Sequence, residues 1–305
     1  MSQRSGLTPG VLRAEGHAIH PVKKRHTGIA TTLVAIAAFG AAAAAPASAL
    51  PSNAGAAALP AVNMEKVVLA AQLDPHRPGD GGTTGALDSV HTVELALQAK
   101  GLLASTYVDQ SFGSKTIAAW RVWEDMLGQT GAGFANGLPN LFELTELGKN
   151  RYTLNHTYIP GAWVTENGEK IDTRTAAMFH KAETISGTDM TIEQGVGDAS
   201  DSAGTHLGGG VIDIATVDRP DEITARVNAL RAVGFAAWYR NWDQRWHIHA
   251  VAISDPLLGA DSHDRLCQVY QYVFGGEGLG QCPADGSVPG TDRAIITWED
   301  YLRAH

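Results

Sequence analysis

Two short apolar runs, one carrying a carboxylate and the other two imidazoles, constrain this chain more than any other feature. They are GTHLGGGVIDI at 204–214 and RWHIHAVAI at 245–253. Val211 to Ile214 reads as a strand, so alternation turns Ile212 and Ile214 to one face and Asp213 to the other. Burying an unpaired carboxylate costs several kcal/mol, and a metal ion removes that cost. In the second run the same alternation puts His247 and His249 on the face of Val251, away from Ile248, Ala250 and Ala252. His206 stands seven residues before Asp213, across Gly208, Gly209 and Gly210, which let the backbone turn sharply. One such histidine is ordinarily a core residue with a hydrogen-bond partner. The combination is a candidate metal site.

The ends of the chain bear on where it works. Residues 1–49 carry five basic side chains and one acid, then the uncharged stretch Thr27–Ala45, then Ala47-Ser48-Ala49. That order predicts a secretory signal peptide, and hence a secreted or cell-wall protein with no stable membrane insertion after cleavage. The formal net charge of −9 becomes −13 once those five bases and one acid are removed. Such an acidic chain repels nucleic acid and anionic lipid alike. Residues 50–85, rich in Ala, Pro and Gly, read as a linker. The two cysteines, Cys267 and Cys282, are expected to form one disulfide in an exported protein, the alternative being two buried thiols.

Residues 86–150 predict a small all-helical module. Val93, Leu95, Leu97, Leu102 and Leu103 give an apolar face. Ser114 is a candidate cap for a helix over 115–127, and Leu141, Leu144 and Leu147 mark another closed by Gly148. The segment between the helices, with Val108, Asp109, Phe112, Gly113, Lys115 and Thr116 in the pattern V-D-x-x-F-G-x-K-T, resembles the peptidoglycan-binding module of bacterial wall hydrolases. The resemblance implies peptidoglycan as a partner; a helical spacer is the other reading. Trp120 and Trp123, three apart, form either a sugar-stacking face or core.

From Arg151 onward short strands and helices alternate, with Asp172 a candidate cap for a helix over 173–185 and a further helix over 221–233. The fold class predicted is α+β: an antiparallel-sheet domain over 151–290 preceded by the all-α module, with 291–305 a tail or short helix. There is neither H-E-x-x-H nor G-x-S-x-G, so the common zincin and serine-hydrolase patterns do not apply.

His206 and Asp213 at their spacing, then Gly234-Phe235 and the His247-Ile248-His249 strand, resemble the zinc D-Ala-D-Ala metallopeptidases, a group that includes the hedgehog signalling domain. The resemblance spans about 155–255. It implies Zn²⁺ held by His206, Asp213 and His249, with a fourth position for water. It implies Asp243 as general base, where the group has Glu, and His247 as donor to the oxyanion. Thr191 to Gly204 contains no Arg or Lys where the group keeps a basic anchor for a substrate carboxylate. Gln194 stands there instead, and among Arg174, Lys181 and Arg240 the last is the preferred anchor because it leads into the second motif. The function implied is hydrolysis of amide bonds in peptidoglycan stem peptides or cross-links; the alternative is a non-catalytic wall-binding protein whose zinc is structural.

Overall fold

The computed structural model describes residues 58–77, 79, 81–131, 134–197, 204–241, 246–259, 267–276 and 295–305. The expected leader, Asp243 and Cys282 lie outside them. Ala56–His305 form one compact unit of α+β architecture.

The expected linker is instead largely built into the fold. Strand β1 (Ala61–Asn63) runs straight into helix α1 (Met64–Leu73), where the Asn63 side chain accepts from the Lys66 N–H at 3.1 Å. Val62, Met64, Val67 and Val68 are fully buried. The alanines that make this stretch look like a tether are good helix formers, and four large apolar side chains among them are enough to anchor it.

Helices α2 (Leu87–Ala99), α3 (Ser114–Met126) and α4 (Leu141–Gly148) follow. Ser114 is the first residue of α3 and Gly113 its cap, one position earlier than the sequence predicts. Three buried glutamates hold the connecting loops. Glu94 accepts from the Asp109 and Gln110 N–H groups and from the Thr116 hydroxyl, so the V-D-x-x-F-G-x-K-T segment wraps around it, with Phe112 buried beneath. Both oxygens of Glu124 accept from the Gly137 N–H. Glu143 completes a capping box with Asn140 and accepts from the Trp120 indole at 2.9 Å. Trp120 and Trp123 are thus core residues, not an exposed stacking face.

Strand β2 (Thr153–Asn155) returns to pair parallel with β1, and β3 (Trp163–Glu166) and β4 (Glu169–Asp172) make a hairpin. Asp172 caps α5 (Thr173–Ser186), accepting from the Thr175 N–H at 2.9 Å. Then come β5 (Ile192–Gln194), β6 (Val211–Ala215), α6 (Ile223–Ala232), β7 (Phe235–Arg240) and β8 (His247–Ala252), followed by α7 (Gln268–Phe274) and α8 (Trp298–Ala304). The four strands form an antiparallel sheet in the order β5-β6-β8-β7.

Both faces of that sheet are covered. Ile212, Ile214, Ile248, Ala250, Phe235 and Ala237 pack with Met178 and Phe179 of α5 and Leu230 of α6. Val211, Val251, Ala236 and Trp238, on the other face, belong to the same apolar cluster as Val67, Leu97, Trp120 and Leu144. The expected helical module and sheet domain therefore share one core, and the face they share is the one that carries Asp213 and His249. No described helix is long and apolar enough to cross a membrane.

The C-terminal helix closes the structure through charge. Arg174 on α5 is enclosed and makes two 2.8 Å bonds to Glu299 of α8, besides reaching the Ile253 carbonyl and Asp255. Arg303 binds Glu65 of α1 in the same two-pronged way at 2.7 and 2.8 Å. Removing one member of a buried pair strands the other, so Glu299→Gln is expected to cost about 3–5 kcal/mol of stability, measured by urea denaturation.

The buried glutamates set a second expectation. Burial lifts Glu94 and Glu143 to about 7, and burial together with the nearby Glu143 charge lifts Glu124 to about 8. The folded chain therefore holds these protons more tightly than the unfolded chain, whose glutamates titrate near 4.5. Their stabilising contribution is present below that value and is lost as pH rises through 7 to 8. The urea midpoint should fall across that interval, and Glu124→Gln should flatten the fall.

Candidate metal centre

Two strands and the loop before one of them converge on one carboxylate. Asp213 sits at the centre of β6, directly opposite His249 of β8 in the register. His249 Nδ1 lies 2.7 Å from Asp213 Oδ1, and His206 Nε2 lies 3.3 Å from Asp213 Oδ2. One ligand atom from each of the three falls within 4.8 Å of the others. Donors on an ideal tetrahedral ion with bonds near 2.0–2.1 Å stand about 3.4 Å apart, so the group can hold a metal with small adjustments. The structure therefore brings together the three residues that the sequence singled out as ligands.

The glycines between His206 and Asp213 are sterically required. Gly210 adopts φ +77°, and a Cβ on Gly208 would stand 2.0 Å from the Leu257 carbonyl oxygen. The close approach of the 255–259 segment brings His206 over the sheet.

Each imidazole has its other nitrogen occupied. His206 Nδ1 is 3.0 Å from the Gly195 carbonyl, so it donates there and leaves Nε2 as the ligand atom. His249 Nε2 is 2.5 Å from Gln268 Oε1, leaving Nδ1 to face Asp213. Gln268, at the start of α7, has no signal in the sequence: it is a glutamine in an amphipathic segment, and only the tertiary arrangement gives it this task. Burial, with the Arg240 charge adding to it, pushes His249 down to about 4, so at neutral pH its lone pair is available. Burial works against the charge on Asp213, but His249 and His206 outweigh it and hold the carboxyl well below its usual range.

Of the other expected site residues, His247, Arg240 and Gln194 stand around this centre, and Asp243 lies outside the described residues. His247 is on the same strand face as His249, its Nε2 3.8 Å from Asp213 Oδ2 and its side chain partly exposed. Arg240 pairs with His247 across β7 and β8, on the face of Trp238 and His249. Gln194 pairs with Asp213 across β5 and β6, and its buried Nε2 has no hydrogen-bond partner among the described residues. Arg174 is committed to Glu299, and Lys181 lies over the Tyr301 ring, so of the three cations weighed as anchors only Arg240 occupies the site face. Trp238 packs on His249 and donates to the Gly276 carbonyl at 2.8 Å, forming a wall of the site, while Trp246 is half exposed. Cys267, buried just before α7, is disulfide-bonded.

The chain matches no known family model, no curated protein and no solved structure. Losing the Gln268 contact should weaken metal binding by about 10–100-fold in Gln268→Ala without unfolding the protein, and Asp213→Asn should weaken it further. Titration of the apoprotein with Zn²⁺, alongside circular dichroism, measures both.

Proposed function

We propose that the chain is an exported zinc-dependent peptidase that hydrolyses amide bonds in peptidoglycan stem peptides or cross-links. The observation that carries this reading is the donor set itself: two imidazoles and one carboxylate, oriented by outer partners, on a sheet face that also presents His247, Arg240 and Gln194. Three protein ligands leave a tetrahedral ion one open position, which separates a hydrolytic site from a closed structural one. Zinc bound there would supply a water acidified to a pKa of about 7.

The chain's own residues do the rest. His247, on the rim, donates to the oxygen of the carbonyl under attack as negative charge develops on it. Gln194 offers a buried amide N–H to the substrate backbone, and making that bond satisfies a donor left without one in the free protein. Arg240 holds an anionic group of the substrate from the β7 side. The helices α2 to α4 serve as the wall-binding part. Asp243, the base that the resemblance implies, lies outside the described residues.

A second reading draws on burial: His206 is 1 % exposed and His249 0 %, as in a metal that holds a fold together. In that case the protein binds the wall without cutting it. Incubation of the mature protein with a broad muropeptide panel separates the two. Cleavage that is lost with chelator and restored by Zn²⁺ is expected, and His247→Ala should lower kcat by about 10²–10³-fold with zinc binding intact. A panel left uncut by the zinc-loaded protein leaves the structural reading standing.

A further inference from the structure

Strand β5 carries an irregularity that neither motif explains. Ile192 pairs with Ile214 and Gln194 with Asp213, so two steps along β5 match one along β6. Glu193 and Gln194 together thus oppose Asp213, the arrangement of a β-bulge. Without the bulge, alternation would send Gln194 after Ile192 into the apolar layer that holds Ile192. With it, Gln194 comes over to the face of Asp213, and Glu193, already opposite in sense to Ile192, keeps that face. Bulges re-aim side chains next to active sites. Here the result is a carboxylate on the rim, beside a centre whose own carboxylate is taken up as a ligand.

Three properties of Glu193 fit one role. It is exposed, whereas His206, Asp213 and His249 are buried, so it exchanges protons with solvent. It is no member of the ligand group. It stands in the bulge opposite Asp213, on the sheet face that carries His247 and His249.

We infer that Glu193 is the proton-transferring carboxylate of this centre, an assignment that rests on the peptidase reading above. As the carbon–oxygen bond forms, Glu193 takes one proton from the attacking water. As the carbon–nitrogen bond breaks, it delivers that proton to the departing nitrogen, which leaves as a neutral amine. The other water proton stays on the new carboxyl group and is lost to solvent, so Glu193 ends each turnover ionised, as it began.

The test uses the full mature chain in two measurements. In the first, the apoproteins of wild type and Glu193→Gln are titrated with Zn²⁺; affinities within about twofold are expected, because Glu193 is not a ligand. In the second, the zinc-loaded proteins act on the muropeptide that wild type cleaves fastest. Glu193→Gln is expected to lose about 10²-fold or more in kcat with KM within about twofold, and Glu193→Asp to recover part of the loss. A Glu193→Gln protein that keeps wild-type kcat overturns the assignment and leaves the peptidase reading in place, and an inactive Asp243→Asn beside it moves the role to Asp243. A tenfold or greater loss of zinc affinity in Glu193→Gln also overturns it, by making Glu193 a support of the ligands. A wild type that cleaves nothing on the panel overturns both.

Discussion

The structure is organised around the buried carboxylate of Asp213. Left alone in an apolar strand it would cost several kcal/mol, and what surrounds it serves to offset that cost. The register of β6 against β8 puts His249 directly across from it. A glycine run pressed against the 255–259 segment carries His206 above it. Gln268 and the Gly195 carbonyl then fix which nitrogen of each ring faces it. Shift β8 by one residue and the histidines turn into the apolar layer beneath, so register and site are set by the same constraint.

That constraint extends to the N-terminal half of the chain. The site face of the sheet shares its apolar cluster with α1, α2, α3 and α4, so the helices resembling a wall-binding module also close the hydrophobic surface beside the metal centre. A module that only tethers would leave the sheet face intact when removed. Here its removal would expose Val211 and Val251, each two residues from a ligand on the same strand face, and Trp238, which packs on His249.

The centre was legible in the sequence because polar residues stood where periodicity demanded apolar ones. Asp213 between two isoleucines and His249 between Ile248 and Ala250 are anomalies that only a shared partner resolves, and the structure places them 2.7 Å apart. The cap at Asp172 was legible for a local reason, an Asp immediately before a helical run. What stayed hidden is what depends on tertiary packing. Alanine-rich composition masked α1, although Val62, Met64, Val67 and Val68 are fully buried. Gln268 carries no pattern at all. The β5 bulge is a relation between two strands, so no reading of 192–194 by itself reveals it. Trp120 and Trp123 fit surface or core equally well by spacing, and what places them inside is Glu143, whose carboxylate accepts from the Trp120 indole and whose carbonyl accepts from the Trp123 indole.

The ion pairs at the end of the chain also govern how the fold is reached. Arg174 meets Glu299 across 125 residues and Glu65 meets Arg303 across 238. Neither pair can form before Glu299 and Arg303 have been made, so a cation and an anion destined for the interior stay hydrated until then. Loop closure over such spans is slow, and the last helix acts as a latch whose arrival permits the final exclusion of solvent.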